Sequence, residues 1–275
     1  MQPLFYFSYF CNRNYNNNMQ LIDTHTHLYL PEFDNDRDEV VERAIDNKVV
    51  KVFMPNIDIN SIDIMINSEK RYKGICYSMI GLHPTSVKED YLQQLDILEE
   101  KAAQHHFIAV GEIGIDLYWD RTFLKEQIIA FKRQVVLALK HNLPVVIHSR
   151  DSFPVVFEAL SEFEGSGIRG VFHAFTGDIS YAEKAIMMGF EIGIGGIVTF
   201  KNSGLDLVVR EIGIDHIILE TDSPYLAPAP YRGKRNESAY ISIINRKIAD
   251  IYKIEIEEAA SKTFANSVEL FKISR

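Results

Sequence analysis

Leu-Ile-Asp-Thr-His-Thr-His-Leu, residues 21–28, decides how the chain is read. An apolar pair leads into Asp23, His25 and His27, three polar residues at every second position. In a β-strand that period puts all three side chains on one face. A lone inward histidine is ordinarily a satisfied core residue, but two imidazoles side by side at a strand end can grip a metal ion. The other ligands must then come from elsewhere in the chain.

Working outward, similar apolar runs recur. The sequence predicts further strands at 49–55, 76–82, 107–115, 145–148, 170–173, 190–198 and 217–221, of which 190–198 is rich in glycine. Amphipathic patterns between them predict helices over 34–48, 59–71, 89–104, 121–141, 153–164, 179–188 and 205–212, with 238–252 and 256–271 closing the chain. Eight repeats of strand then helix in 275 residues predict an α/β fold, a (β/α)8 TIM barrel. An open doubly wound sheet is the competitor, but its Gly-x-Gly-x-x-Gly after the first strand is absent. With no interdomain linker, residues 19–275 read as one domain.

Residues 1–18 stand apart, aromatic-rich and then asparagine-rich. They lack the basic segment and small-residue cleavage site of a signal peptide. Met19 falls just before the first strand, so 1–18 are expected to be a disordered extension or a misassigned start. The composition, 47% hydrophobic and 24% charged, is that of a soluble globular protein. No apolar run approaches the ~20 residues of a membrane span. A net charge of -9 argues against non-specific coating of nucleic acid, although metal ions and a small basic patch can hold phosphates locally. Cys11 and Cys76 form neither a disulfide framework nor a Cys-x-x-Cys site, which points to a reducing, cytoplasmic location. A monomer is the default expectation.

The predicted strand ends collect chemistry. Strand one ends in His25 and His27, strand three in His83, and strand four in Glu112 and Asp116. Strand five ends in His148 and Arg150, strand six in His173, strand eight in Glu220 and Asp222. In a barrel these ends share the face on which active sites form. Glu112 follows a buried run where an unpaired carboxylate is costly, so a salt-bridged structural acid is its plain alternative. Asp222, in Glu-Thr-Asp-Ser-Pro, could instead cap a turn. Taken together, His25, His27, Glu112, His148, His173 and Asp222 make a nitrogen and oxygen donor set without thiolate. It suits Zn²⁺ or Mn²⁺, with Mg²⁺ also admitted.

Six ligands exceed what one catalytic ion with an open position uses. Two divalent ions bridged by Glu112 fit the count, with His25, His27 and Asp222 on one and His148 and His173 on the other. Glu112 and Asp222 are then the catalytic acids: a metal-acidified water attacks and Asp222 takes its proton. Asp23 and Glu220, two residues before ligands, are expected to orient imidazole N–H groups. His83, Asp116, Arg150, Tyr225 and Arg232 are assigned to substrate. In the loop 225–236, Tyr231, Lys234 and Arg235 join Tyr225 and Arg232 where phosphates and a stacked base could be held. His105, His106 and His141 fall at helix ends and are expected to be exposed, while His216 precedes strand eight at the opposite end.

These motifs together resemble the TatD family of metal-dependent deoxyribonucleases and related hydrolases, among the amidohydrolase-like barrels. The resemblance runs from Met19 to the C-terminus. It rests on Asp-Thr-His-Thr-His (23–27), Gly-Leu-His-Pro (81–84), Gly-Glu-Ile-Gly-Ile-Asp (111–116), Ile-His-Ser-Arg (147–150), His-Ala-Phe-Thr-Gly (173–177) and Leu-Glu-Thr-Asp-Ser-Pro-Tyr (219–225). It implies the same six ligands. One departure is Asn236-Glu-Ser238, where the family commonly has proline last, which bears on the shape of the basic loop.

The resemblance implies a metal-dependent phosphodiesterase acting on DNA, as a 3′-5′ exonuclease. The alternative uses the same water on an ester or amide carbonyl, as in removing an amino acid from mischarged tRNA. A non-catalytic binding protein that kept the barrel is the third class, and the intact ligand set argues against it. The acidic charge predicts weak, salt-sensitive affinity for any nucleic acid.

Overall fold

The computed structural model describes residues 19–273. The expectation for residues 1–18 lies outside the described residues. Eight parallel strands alternate with helices: β1 Leu21–Asp23, β2 Val49–Met54, β3 Cys76–Ser78, β4 Val110–Asp116, β5 Val145–Arg150, β6 Gly170–Phe172, β7 Phe190–Ile194 and β8 Ile217–Leu219. The helices are α1 Arg37–Asp46, α2 Ile62–Arg71, α3 Tyr91–Gln104, α4 Leu124–His141, α5 Phe153–Ser161, α6 Ile179–Met187, α7 Leu205–Ile212, α8 Ile241–Tyr252 and α9 Ile256–Phe271.

The hydrogen-bonded order is β1-β2-β3 and β4-β5-β6-β7-β8. Two seams join these arcs. At one, Ile80 bridges Val110, with Ile80 N donating to Ala109 O at 3.1 Å. At the other, Thr24 N donates to Leu219 O at 3.1 Å and Thr26 bridges Ser223. The predicted (β/α)8 barrel is therefore the fold, and a doubly wound sheet is excluded by closure.

Local chemistry explains the breaks between elements. α4 ends where Asn142 adopts a left-handed backbone (φ 54°), two residues before Pro144. Asp178 caps α6, its carboxylate accepting from Tyr181 N at 3.1 Å. The barrel floor is sealed by the last helix: Ile22, Val146, Val171 and Ile218, each the second residue of its strand, pack with Leu270 and Phe271. The Phe53 and Phe271 rings lie 4.8 Å apart there. Polar chemistry is thereby confined to the other end.

Several strands are shorter than their apolar runs. β1 stops at Asp23, so His25 and His27 stand on the chain beyond it, and β7 stops at Ile194 before a 3-10 turn at Gly196–Thr199. Among the described residues, no helix is long and apolar enough to cross a membrane.

Candidate active site

Glu112 is the centre of the site, and its backbone is seated by neighbours that carry little side chain. A Cβ at Gly81 would stand 2.7 Å from the Gly111 carbonyl carbon, so only glycine lets the two segments approach this closely. From the end of β2, Asn56 laces them together. Its N donates to Gly111 O (3.1 Å), Glu112 N donates to Asn56 O (3.2 Å), and Nδ2 donates to Gly81 O (2.7 Å).

The Glu112 carboxylate is buried and its two oxygens face different histidines. Oε2 lies 3.2 Å from His25 Nε2 and 3.8 Å from His27 Nε2. Oε1 lies 2.8 Å from His148 Nδ1, 2.8 Å from His173 Nε2 and 3.3 Å from His83 Nε2. Asp222 Oδ1 completes the first group, 3.6 Å from His25 Nε2 and 3.7 Å from His27 Nε2. Asp222 is aimed by a left-handed backbone (φ 57°), which aspartate tolerates better than most residues, and its N donates to His25 O at 2.8 Å.

Three of the rings are oriented from behind. The Tyr29 hydroxyl donates to Pro55 O at 2.8 Å, which leaves its lone pairs for His27 Nδ1–H at 3.2 Å and His27 Nε2 bare toward the centre. Glu220 Oε1 lies 3.3 Å from His173 Nδ1, so Nε2 faces Glu112. Space for Glu220 comes from the glycine-rich strand, since a Cβ at Gly193 would stand 2.6 Å from Glu220 Oε2. Asp116 Oδ2 holds His148 Nε2 at 2.9 Å and leaves Nδ1 inward.

His83 is set the other way. Thr85 N donates to its Nδ1 at 3.2 Å, so Nδ1 is the bare nitrogen and Nε2 carries the proton in the neutral ring. His83 is thus presented as a hydrogen-bond donor, although its ring lies among the possible ligands.

The electrostatics follow from crowding acids and imidazoles out of water. Burial opposes ionisation of Glu112, but His173, His83 and His25 outweigh it and hold the carboxyl well below its usual range. Burial pushes Asp222 up to about 8, with His173 pulling the other way. Burial lowers His25, His27 and His83. It also opposes charge on His148 and His173, but hydrogen bonds to Asp116 and Glu112 raise His148, and the charges of Glu112 and Glu220 raise His173 well above its usual value.

His25 tests whether this donor set fits a metal ion. It is fully buried, and neither ring nitrogen has a hydrogen-bond partner, an arrangement that is costly for a neutral imidazole and natural for a ligand. Donor atoms of His25, His27 and Asp222 lie within 4.8 Å of one another, as do those of His25, Glu112 and His173, and of His83, Glu112 and His148. The residues fit a divalent ion.

Above the centre opens a cleft of about 620 Å³, lined among others by His27, His83, Glu112, Asp116, His148, Arg150, His173, Asp222 and Tyr225. Three expectations need correction. Asp23 does not meet an imidazole. It accepts from Thr221 Oγ1 (2.6 Å) and Thr221 N (2.9 Å), because β1 ends there and the carboxylate stitches β1 to the end of β8. Asp116 borders the cleft, but both oxygens are engaged within the chain rather than free for substrate: Oδ2 holds His148, and Oδ1 accepts from Tyr118 N and Trp119 N. Arg232 does not line the cleft, its guanidinium lying 4.6 Å from the Phe200 ring centre.

Two more residues of the basic loop are also spent on structure. Arg235 pairs with Asp36 at 2.6 Å, and Tyr231 stacks on Tyr240 with centroids 4.4 Å apart. Of the histidines set aside, His105 is half-buried and pairs with Glu69 at 2.9 Å, and His141 is half-buried rather than exposed. Asn56 and Tyr29 escaped sequence reading. The signal for Asn56 was a polar residue just after the buried run of β2, and for Tyr29 the continued period-2 spacing after His27.

Comparisons with known proteins agree with this geometry. The family profile described as TatD related DNase matches residues 22–272. The chain is 37% identical over 255 residues to the uncharacterized metal-dependent hydrolase YabD of Bacillus subtilis, covering 92% of this chain and 100% of that one. It is 31% identical over 259 residues to the uncharacterized metal-dependent hydrolase YcfH of Escherichia coli K12, covering 93% and 97%. Among solved structures, the TatD homolog YjjV of Escherichia coli K12 is similar with a TM-score of 0.88 at 26% identity, covering 94% of this chain and 100% of that one.

Proposed function

The chain belongs to the TatD family of metal-dependent hydrolases, and from that premise we propose that it hydrolyses phosphodiester bonds of DNA, as an exonuclease. The observation that carries this reading is the division of Glu112, one oxygen toward His25 and His27 and the other toward His148 and His173. We assign His25, His27 and Asp222 to one divalent ion (Zn²⁺, Mn²⁺ or Mg²⁺), His148 and His173 to a second, and Glu112 to both. Paired ions held there would supply an acidified water and neutralise charge on a phosphoryl oxygen, the chemistry of in-line displacement at phosphorus.

The remaining roles belong to the chain itself. Asp222 Oδ1 faces the histidines, which leaves Oδ2 to accept the proton of the attacking water. His83 Nε2–H donates to a substrate oxygen. Arg150, at the cleft wall, neutralises phosphate. Tyr225 borders the opening on the β8 side.

Purified protein supplied with Mn²⁺, Mg²⁺ or Zn²⁺ should shorten single-stranded DNA from one end, and Glu112→Ala should abolish it. Activity surviving that substitution would refute the assignment. Aminoacyl-tRNA at equal enzyme and metal separates phosphodiester from carbonyl chemistry.

A further inference from the structure

Beyond Asp116 the chain leaves β4 in a tight loop whose backbone is pinned from several sides. Asp116 Oδ1 accepts from Tyr118 N (3.0 Å) and Trp119 N (3.2 Å). Leu117 N donates to Arg150 O at 3.0 Å, and Arg121 Nε donates to Leu117 O at 3.0 Å. A loop so constrained could have turned its aromatic side chains inward. Instead Tyr118 is 54% and Trp119 69% exposed.

Their rings meet edge to face, centroids 4.9 Å apart. The Arg150 guanidinium lies 3.8 Å from the Tyr118 ring centre and 5.4 Å from that of Trp119. Among the described residues Arg150 makes no ion pair, so its N–H edges are unspent. Trp119 and Arg150 both line the catalytic cleft. Exposed aromatic surface held rigidly beside an unpaired guanidinium, at the mouth of a cleft, is a binding surface rather than a packing element.

We propose that Tyr118, Trp119 and Arg150 form a subsite for the nucleobase adjoining the hydrolysed phosphate, with the base stacked on the aromatic pair and Arg150 reaching the phosphate. The proposal deepens the phosphodiesterase reading and rests on it. A planar base suits these rings because every base offers a π-face. Among the described residues Arg150 is the one arginine or lysine lining the cleft, so it can match one phosphate rather than a long charged backbone. The stacking site therefore lies on the β4 side of the mouth, not on the basic loop after β8, where Tyr231 is already covered. Asp116 serves here as a positioning residue, since the same carboxylate holds His148 and the two aromatic backbones.

Trp119 is the only tryptophan in the chain, which makes it a built-in reporter. The test titrates metal-stripped protein with a short oligothymidylate and with an abasic strand of equal length, following tryptophan fluorescence. The oligothymidylate should quench saturably and bind about 10-fold or more tightly than the abasic strand. Tyr118→Ala, which keeps the reporter, should weaken that preference. In the metal-loaded enzyme, Trp119→Ala should draw the KM values for base-bearing and abasic strands together. Equal affinity of wild type for both strands, or an undiminished preference in the variants, would overturn the subsite. Hydrolysis of neither strand by loaded wild type would overturn the phosphodiesterase reading instead, and the fluorescence titration still decides the subsite.

Discussion

Asp116 holds the imidazole of His148, Oδ2 to Nε2 at 2.9 Å, and that grip decides which ring nitrogen faces Glu112. Asp116→Asn keeps the shape and removes the charge. Metal affinity should fall on the order of 10–100-fold, the usual cost of losing a carboxylate behind a ligating histidine. Calorimetric titration of stripped protein with Zn²⁺ measures it. Wild-type affinity would show that His148 orients itself.

His83 separates two roles that distance alone cannot. With Nδ1 accepting from Thr85 N, it should act as a donor to substrate and not as a ligand. His83→Ala should therefore leave bound metal per chain unchanged and lower kcat/KM by about 10²-fold. Metal analysis of the purified variant checks it, and a lower metal content would make His83 a ligand.

Gly193→Ala tests the glycine of β7. The added Cβ would meet Glu220 Oε2 at 2.6 Å and also the Phe172 carbonyl oxygen at 3.1 Å, so moving the buried acid alone does not make room. A loss of about 1–3 kcal/mol in urea melts is expected, together with weaker metal binding as Glu220 leaves His173. A neutral outcome in both measurements would mean that the strand shifts freely.

Glu191 of β7 gives a pH signature away from the centre. Burial, and then the charge of Glu269, raise its pKa to about 7. A raised acid favours the protonated folded state, so stability is lost as pH climbs from the unfolded value near ~4.3 to the folded one. Glu191→Gln should gain on the order of 1 kcal/mol at pH 8, discounted for partial solvent access, and almost nothing at pH 4. Equal effects at both pH values would refute the cause.

Stripping the metal should cost stability as well as activity. Without a cation, His25 is buried with neither ring nitrogen in a hydrogen bond. Chelation should lower Tm on the order of 5–10 °C, and Zn²⁺ or Mn²⁺ should restore it. A Tm indifferent to both treatments would argue against ions held by this centre.

The sequence carried much of this in patterns that do not depend on distant contacts. Apolar runs ending in His148 or His173 place those rings at strand ends, because a parallel strand is buried along its length and its polar residue must mark an exit. Asp23 was misread because polar alternation continues past the point where β1 stops, and only the partner strand reveals Thr221 as its contact. Arg232 and Arg235 looked available because their consumers, Phe200 and Asp36, lie far away in sequence. Tyr118 and Trp119 drew no notice because aromatic residues usually announce a core, and only exposure shows otherwise.

The seam between β1 and the end of β8 has a consequence for how the protein comes into being. Asp23 and Thr221, bonded across it, are separated by 198 positions, and His25 meets Asp222 beside them. Folding must bring the two together, because a chain that stops short of Asp222 carries His25 and His27 without the carboxylate that faces them. Such a fragment is missing a wall of the centre, not merely some stability. The donor set is therefore complete only once the end of β8 has closed on β1.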